Sequence, residues 1–437
     1  MRALLESLRR HRAGEPAGIY SVCSAHPLVL RAALQHAQAG GSYALIEATS
    51  NQVNQDGGYT GLRPAEFRDV VWRMADEIGL PRERVLLGGD HLGPNCWQML
   101  PAQSALQRAG VMVAEYVRAG FRKIHLDCSM SCSDDPRGLS DEVIATRAAK
   151  LCAAAESAWR GAGGEAPLYV VGSEVPVPGG AQESLHELAV TDPQVALASI
   201  EAHRCAFTRA GLADAWERVI ALVAQPGVEF DQERVIEYVP AKAQRLSACL
   251  AAIPRLVFEA HSTDYQPPEA LGALVRDHFA ILKVGPALTF ALREAVWALD
   301  QIEREWLGAE KSSRVRETLL AAMRADPQHW RKYYQGSGRT LELQLAYSLS
   351  DRIRYSWPAA SVTRALAHLE GSFASGTPPL PLLRQYLPSA YEPVRRGQLR
   401  PSAHNLIVHH VRQVLRDYSQ ACGPPADDGA QMGETTS

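Results

Sequence analysis

Histidines and acids follow several short apolar segments of this 437-residue sequence, and they are residue types that metal-dependent active sites use. The segment "GGDHLGPN" places Asp90 and His91 directly after the apolar run "RVLL", and "EAHSTD" places His261 after another. Two imidazoles and the carboxylate of Glu174 form a three-ligand set that suits zinc, manganese or cobalt and leaves room for a substrate. Gln225 is a candidate for a weak fourth ligand.

Asp90 stands beside the first of these histidines and is the leading candidate for a catalytic acid–base residue. A carboxylate next to a divalent cation can move protons on a metal-bound hydroxy-ketone. Glu174 is a second candidate for a catalytic carboxylate. Successive residues of a strand point to opposite sides, so Asp90 and His91 share one face only if the strand ends irregularly. The alternative role for Asp90 is to orient a histidine ligand.

Other polar residues at the ends of the apolar segments are candidates for substrate binding, because their side chains and backbone suit sugar hydroxyls and phosphate. The candidates are Asn51, Gln52, Asp127, Ser262, Thr263, Lys283 and Gly285. A helix that begins near Pro286 would direct its N-terminus at a phosphate, with the N–H groups of Gly285 and Ala287 as donors. Lys283 has an alternative role in a salt bridge inside the fold.

A further phosphate candidate lies far along the chain, in the segment "YSLSDRIRYSWP". An arginine pair beside a hydroxyl suits a phosphate, because guanidinium groups bind its oxygens through paired hydrogen bonds. The candidates are Ser350, Arg352 and Arg354. They would act within one chain or across the interface of a homo-oligomer. The alternative is an ordinary network of Asp and Arg side chains at the surface.

The elements that must position these residues alternate along the first 290 residues. Eight short apolar or β-branched runs are separated by longer amphipathic segments, several of which end in glycine, a common helix C-cap. Such alternation predicts a parallel sheet, and eight repeats favour a closed (β/α)8 barrel over an open sheet. The runs lie at 18–25, 43–50, 84–91, 123–129, 167–175, 218–227, 255–263 and 279–287. The carboxyl ends of barrel strands share one face, so the candidate residues would meet there.

Helical periodicity without a strand rhythm continues after residue 290. We therefore predict an N-terminal helix at 1–17, the α/β barrel at 18–305, a helical extension at 306–421 and a disordered tail at 422–437. The tail "GPPADDGAQMGETTS" is rich in glycine, proline and acidic residues, a composition that is typical of disorder.

The composition is that of a soluble globular protein, with 46% hydrophobic residues and a formal net charge of -3. The near-neutral charge argues against partners such as nucleic acid or a membrane surface. A run of about 18 apolar residues, as a membrane-spanning helix requires, does not occur in the sequence. The amino-terminal segment lacks the features of a secretory signal, and the eight cysteines are scattered. We therefore expect reduced thiols and a cytoplasmic location.

Several long motifs resemble the tagatose-bisphosphate aldolase Z-type subunit family, whose members accompany bacterial galactitol and N-acetylgalactosamine catabolism. They include "IEATSNQVNQDGGYTG", "GGDHLGPNCW", "KIHLDCSMSC", "EAHSTDYQ" and "FAILKVGPALTFALRE", and the resemblance runs over about 18–420. The family is in turn similar to class II fructose- and tagatose-bisphosphate aldolases, which are metal-dependent barrels. On that pattern Asp90 matches the proton-transferring acid, and His91 and His261 match metal ligands. Gly285 replaces an Asn, and Gln225 lies near the position of another His, so simple aldolase activity is not expected.

The resemblance implies two functions of different classes. Some members are described as non-catalytic subunits that a separate class II aldolase chain requires for activity and stability. Others resemble free-standing D-tagatose-6-phosphate 4-epimerases, which take a ketohexose-phosphate substrate, require zinc or manganese and form D-fructose 6-phosphate by retro-aldol and aldol steps. A complete set of site residues is more than an accessory subunit needs. We therefore favour the epimerase and keep the aldolase subunit as the alternative.

Overall fold

The computed structural model describes residues 1–173, 181, 188–253 and 255–424, and its central element is a closed barrel of eight parallel strands. The described residues contain ten strands in all, which are β1 (Ile19–Val22), β2 (Ala44–Thr49), β3 (Val85–Leu92), β4 (Lys123–Leu126), β5 (Leu168–Val171), β6 (Val219–Val223), β7 (Glu229–Phe230), β8 (Val235–Ile236), β9 (Val257–Ala260) and β10 (Ile281–Val284). The barrel order is β1-β10-β9-β6-β5-β4-β3-β2, whereas β7 and β8 form a separate antiparallel ribbon. The predicted (β/α)8 barrel is confirmed, and the ribbon was not predicted.

Helices fill the connections between the strands and make up the regular structure described after β10. The α-helices of the barrel region are α1 (Arg2–Arg12), α2 (Pro27–Gly40), α3 (Pro64–Ile78), α4 (Ala102–Arg118), α5 (Asp141–Ala162), α6 (Pro193–Arg209), α7 (Ala213–Trp216), α8 (Pro240–Cys249), α9 (Pro268–Arg276) and α10 (Pro286–Leu307). The later helices are α11 (Val315–Ala325), α12 (Gly338–Tyr347), α13 (Ala360–Ala374), α14 (Leu380–Tyr386), α15 (Pro388–Arg395) and α16 (Ala403–Ala421). Within the described ranges, no helix combines the length and apolar character that crossing a bilayer requires.

Helix α1 closes the amino-terminal end of the barrel. Leu4 and Leu8 are fully buried and pack with inward-facing strand residues such as Ile19, Leu86 and Ile281. Burying a leucine side chain stabilises a fold by about 1.5–3 kcal/mol, so these contacts hold the helix firmly in place. The apolar plug fills one end of the barrel and leaves the carboxyl ends of the strands as the face that carries polar groups.

The last helices pack directly on the barrel. Helix α16 lies against α2, α9 and α10, and the hydroxyl of Tyr418 donates to the carbonyl oxygen of Thr263 at 2.8 Å. The N–H of Gly18 donates to the carbonyl oxygen of Cys422 at 2.9 Å, which ties the end of α16 to the start of β1. The proposed domain boundaries stay predictions, and residues 425–437 of the predicted tail lie outside the described residues.

Candidate active site

The end of β3 breaks the usual alternation of side chains. Its pairing with β4 shifts register between Gly89 and Leu92, and His91 has a φ of 48° in the left-handed region. A left-handed conformation costs a non-glycine residue on the order of 1 kcal/mol and persists only where surrounding contacts fix it. As a result, the adjacent residues Asp90 and His91 both line one pocket at the carboxyl end of the barrel.

Three imidazoles converge beside this pocket, two from the neighbouring strands β3 and β4 and one that follows β9 on another side of the barrel. They are His91 at the end of β3, His125 in β4 and His261 directly after β9. Their ring centroids are 4.8 Å (His91 to His261), 5.2 Å (His125 to His261) and 5.3 Å (His91 to His125) apart. All three side chains are buried, so the cluster is a packed feature of the barrel rather than a chance surface grouping.

Each of the three histidines is held by its own carboxylate. The pairs are His91 Nδ1 with Asp127 Oδ2 at 2.8 Å, His125 Nδ1 with Asp90 Oδ1 at 2.9 Å and His261 Nε2 with Glu259 Oε1 at 3.1 Å. An ionised carboxylate only accepts hydrogen bonds, so we assign the proton to the ring nitrogen that faces it. At His125 Nδ1 the backbone N–H of His91 also approaches, at 3.3 Å, and the shorter 2.9 Å contact with Asp90 decides the assignment. In the neutral imidazole the other nitrogen then carries a lone pair. Metal-ligating histidines in proteins are oriented in this way.

The cluster fits a divalent metal ion. His125 Nε2 is buried and has no hydrogen-bond partner among the described residues, which is costly unless something binds there. Ligand atoms of Asp90, His125, Glu259 and His261 lie within 4.8 Å of one another, whereas His91 lies beside this set through its ring contacts with His125 and His261. Imidazole nitrogen together with carboxylate oxygen is a donor set that suits zinc or manganese.

A layer of buried charged side chains from β2, β4, β9 and β10 lies inside the barrel next to the cluster. Lys123 Nζ is 2.6 Å from Glu47 Oε1 and 2.6 Å from Glu259 Oε2. Lys283 Nζ contacts Glu47 and is 2.9 Å from Asp90 Oδ1 and 3.6 Å from Glu259 Oε1. The structure therefore contains the alternative role predicted for Lys283, a salt bridge inside the fold.

This layer and the cluster together carry an excess of negative charge. Glu47, Glu259, Asp90 and Asp127 supply four carboxylates, and two lysines supply the ammonium groups. When all three imidazoles are neutral, as metal ligands must be, two negative charges are left over inside the barrel; without a metal ion, a protonated His91 offsets one of them. Uncompensated buried charge is expensive, and one divalent cation would neutralise it.

Titratable groups in the cluster respond to one another. Burial by itself would raise the pKa of Asp90, but the imidazoles of His91, His125 and His261 hold it well below its usual range. Burial by itself lowers the pKa of His91, but the carboxylates of Asp90 and Asp127 raise it to about 9. Burial lowers the pKa of Lys283 to about 8. Asp90 is thus ionised at neutral pH.

A carboxylate occupies the N-terminus of α10. Asp264 Oδ1 accepts from the N–H groups of Gly285 at 2.9 Å and Ala287 at 2.8 Å. The Asp264 side chain lines the pocket, and burial raises its pKa to about 6. The two N–H groups predicted to bind phosphate are therefore engaged within the chain, and this part of the prediction is corrected: Gly285 borders the pocket without offering its N–H.

Several of the predicted substrate-binding residues border the pocket. Those brought together there are Asn51, Gln52, Ser262, Lys283, Gly285 and Arg354. Gln52 is already engaged, because its Oε1 accepts from the N–H of Thr49 at 2.9 Å and its Nε2 donates to the carbonyl of Cys23 at 3.2 Å. Gln52 therefore shapes the wall, while Asn51 extends from the same loop.

The structure places two predicted metal ligands differently. Gln225 Oε1 accepts from the N–H groups of Gly227 at 2.8 Å and Val228 at 2.9 Å, so this side chain caps the turn after β6. The role predicted for Gln225 is corrected accordingly, because its oxygen is used by its own loop. Glu174, the other predicted ligand and catalytic carboxylate, lies outside the described residues.

Two predicted substrate-binding residues support the site from behind. Thr263 is fully buried, and its hydroxyl donates to the carbonyl of Lys283 at 2.6 Å, so it joins β9 to β10. Asp127 holds His91 and accepts from the hydroxyl of Ser129 at 2.6 Å. Neither side chain borders the pocket.

Only one of the three predicted phosphate residues in the extension borders the pocket. Ser350 is fully buried with its hydroxyl 3.0 Å from that of Ser348. The Arg352 guanidinium stacks over the ring of Tyr333 at 3.2 Å and faces a neighbouring cleft. Arg354 lines the pocket, where its position is fixed by hydrogen bonds to two carbonyl groups of its own loop.

The sequence analysis did not select His125, Glu259 or Asp264, although the first two had a readable signal. The segment "KIHLDC" places Lys123, His125 and Asp127 at alternate positions, and "EAH" does the same for Glu259 and His261. Side chains two apart point to the same side of a strand, so polar residues at this spacing point into the barrel.

The fold and the site define a class of protein: a (β/α)8 barrel that carries a cluster of three carboxylate-held histidines and an adjacent acid at its carboxyl face. This chain belongs to the D-tagatose-1,6-bisphosphate aldolase subunit GatZ/KbaZ-like family, whose model matches residues 4–423.

Three solved structures resemble the chain to different degrees. A probable tagatose 6 phosphate kinase from Sinorhizobium meliloti 1021 is 48% identical, with 93% of this chain and 100% of that chain covered and a TM-score of 0.85. A fructose-bisphosphate aldolase from Campylobacter jejuni is 12% identical, with coverages of 96% and 94% and a TM-score of 0.47. The fructuronate-tagaturonate epimerase UxaE from Cohnella laeviribosi is 10% identical, with coverages of 93% and 82% and a TM-score of 0.47.

Proposed function

We propose that this chain catalyses the metal-dependent 4-epimerisation of D-tagatose 6-phosphate to D-fructose 6-phosphate. The observation that carries the proposal is the cluster of three carboxylate-held histidines beside Asp90 at an open pocket. The family description supports a tagatose phosphate as the substrate class, as does the name of the 48% identical relative.

His91, His125 and His261 would hold the metal ion, which when bound supplies a Lewis acid for the ketose carbonyl. Asp90 accepts the proton of the C4 hydroxyl as the C3–C4 bond breaks, and the electron pair of that bond stays on the ketose fragment. The aldehyde fragment, glyceraldehyde 3-phosphate, turns its other face. When the C3–C4 bond re-forms, Asp90 returns the proton to the oxygen on C4, whose configuration is now inverted.

The surroundings of Asp90 suit this role. Its Oδ1 is engaged by His125 at 2.9 Å and by Lys283 at 2.9 Å, which fixes the carboxylate. Its Oδ2 has longer contacts, 3.7 Å to the thiol of Cys23 and 3.7 Å to His91 Nε2. Oδ2 is therefore the oxygen that is available to a substrate hydroxyl. Arg354 is the pocket cation that we assign to the 6-phosphate.

The direct test is turnover by the purified chain alone, with Mn²⁺ or Zn²⁺ and without ATP, on D-tagatose 6-phosphate. We expect D-fructose 6-phosphate to form, EDTA to abolish the reaction, and Asp90→Asn to slow it by about 10²–10⁴-fold. Asp214→Asn on the exposed face of α7 is the matched control and should keep full activity. Metal content measured in each variant separates loss of the acid–base group from loss of the metal. Unchanged turnover in Asp90→Asn, or turnover that EDTA does not affect, would contradict the proposal.

The family description favours a second candidate, an accessory subunit of a class II tagatose-bisphosphate aldolase. This role would be assigned by mixing the chain with such an aldolase chain and measuring cleavage of D-tagatose 1,6-bisphosphate. Stimulation that Asp90→Asn retains in full, together with no turnover by the chain alone, would favour the subunit over the epimerase.

A further inference from the structure

We infer that Asp264 makes the pocket selective for a ketose that carries a single phosphate, because its carboxylate fills the position at the start of α10 where a second phosphate would bind. The inference rests on the proposed function, since it takes a sugar phosphate as the ligand. It adds a residue that determines which phosphorylated ketoses are accepted.

The start of α10 has the features of an anion site. The helix is 22 residues long, and its first N–H groups carry the positive end of the helix dipole. In this chain Asp264 Oδ1 accepts from the N–H groups of Gly285 and Ala287 and is only 3% exposed. The backbone there is also tight, because a Cβ on Gly285 would lie 3.1 Å from the carbonyl oxygen of Cys23. An internal carboxylate thus holds the place of an external anion.

The charges around the pocket leave one cation for phosphate. Among the described residues, the ionisable Asp, Glu, His, Lys and Arg side chains that line it are Asp90, His91, His261, Asp264, Lys283 and Arg354. The ammonium group of Lys283 is already surrounded by carboxylates of the buried layer. Arg354 therefore remains to bind a phosphate. Its charge also acts on Asp264, so this one cation can balance a single phosphate, and a second phosphate would meet the like charge of Asp264 without a further free cation from the pocket lining.

Other basic side chains nearby line two adjoining clefts. Arg31 lines one that shares Arg354 with the pocket, and its guanidinium is paired with Glu77. Lys332 and Arg352 line a neighbouring cleft that shares with the pocket only the wall residues Asn51, Tyr59 and Tyr355. The rings of Tyr59 and Tyr355 meet edge to face with centroids 4.7 Å apart. These two rings stand in the wall between the pocket and the neighbouring cations.

Asp264→Asn separates charge from shape. The amide oxygen of the variant can accept the same two N–H groups, so the start of α10 keeps its cap while the negative charge is removed. The ligands for the test are a hexitol 6-phosphate and a hexitol 1,6-bisphosphate made by reducing the C2 carbonyl of the ketoses, because they cannot be cleaved. Their dissociation constants for the metal-loaded chain are measured by calorimetry in wild type, in Asp264→Asn and in the control Asp214→Asn.

We expect the wild type and Asp214→Asn to bind the monophosphate at least about tenfold more tightly than the bisphosphate, and Asp264→Asn to reduce this preference at least about tenfold. Equal or tighter binding of the bisphosphate by the wild type overturns the inference, and so does an unchanged preference in a folded Asp264→Asn. The wild-type ratio can overturn the inference by itself, and if Asp264→Asn does not fold, Asp264→Ser replaces it, because a serine hydroxyl also accepts hydrogen bonds and carries no charge. Binding of neither ligand by the wild type would overturn the proposed function as well, whereas monophosphate binding without preference overturns this inference alone.

Discussion

At the scale of single residues, the cluster depends on which ring nitrogen of each histidine carries the proton. Asp127, Asp90 and Glu259 each face one ring nitrogen, so the opposite nitrogen keeps its lone pair. The carboxylates also fix the ring orientations, so the ligands are placed before any metal arrives. His125 matters most in this arrangement, because its buried Nε2 has no other partner among the described residues.

His125→Ala should therefore weaken metal binding strongly. We expect the affinity for Zn²⁺ or Mn²⁺ to fall by at least about 10–100-fold, since loss of even an outer partner of a ligand has an effect of this size. Gln225→Ala should leave the affinity unchanged, because the Gln225 oxygen is used by the turn after β6. His368→Ala, on the exposed face of α13, is the histidine control. Equilibrium dialysis with metal analysis checks all three, and normal binding by His125→Ala would be incompatible with the ligand set.

At the scale of elements, β4 and β9 carry both the cluster and the charged layer below it. Lys123 and His125 are two apart in β4, and Glu259 and His261 are two apart around the end of β9, so each strand directs both of its residues inward. A barrel interior is normally filled by apolar side chains. In this chain, apolar side chains of α1 close the amino-terminal end of the barrel, whereas polar and charged side chains fill the carboxyl end.

Lys123→Met tests the charged layer. The substitution removes one of the two ammonium groups that contact Glu47 and Glu259, since Lys283 remains beside both, and breaking a buried ion pair from one side costs about 3–5 kcal/mol. We expect a loss of this size in the free energy of unfolding measured by urea denaturation. Lys150→Met, on the exposed side of α5, should change it by less than about 0.5 kcal/mol. Equal effects of the two substitutions would show that the layer does not depend on Lys123.

The carboxylate at the start of α10 predicts a pH dependence of stability. Burial raises the folded-state pKa of Asp264 to about 6 from an ordinary value of 3.8, so the folded protein takes up this proton more readily than the unfolded chain. Wild type should therefore gain about 1 kcal/mol of unfolding free energy relative to Asp264→Asn between pH 7 and pH 5. Urea denaturation of both proteins at the two pH values measures this difference. If the difference in unfolding free energy between the two proteins stays constant with pH, or changes in the opposite direction, the raised pKa of Asp264 is contradicted.

At the scale of the whole molecule, the helices that follow the barrel complete its site. The segment that precedes α13 brings Arg354 and Tyr355 to the pocket, and Tyr418 of α16 holds the loop after β9 through Thr263. Residues more than 60 positions after the last barrel strand thus contribute to the carboxyl face.

Arg354→Met should act on the phosphate end of the substrate. We expect KM for D-tagatose 6-phosphate to rise at least about tenfold with a smaller change in kcat, because a charge-assisted contact is lost that does not take part in bond cleavage. The kcat/KM for unphosphorylated D-tagatose should not change. Arg364→Met, exposed on α13, is the arginine control. An equal loss of kcat/KM for both sugars would show that Arg354 does not bind the phosphate.

The fold was predictable because strand and helix periodicities are local, and eight alternations leave few architectures. The ribbon of β7 and β8 was missed because two-residue strands carry no periodic signal. Asp90, His91 and His261 could be brought to one face because barrel strands end there. Gln225 and Asp264 could not be placed, because hydrogen bonds within loops decide where those side chains turn. The position of Arg354 in the pocket could not be predicted either, because it depends on packing between segments that are far apart in the chain.

The most direct test of the account is turnover of D-tagatose 6-phosphate as a function of bound metal. The chain is stripped with EDTA, reloaded in steps with Mn²⁺ or Zn²⁺, and assayed alone at each measured occupancy. We predict that D-fructose 6-phosphate forms at a rate proportional to occupancy and reaches its limit at one ion per chain. Full activity in the stripped chain, or no activity at full occupancy, would contradict the account.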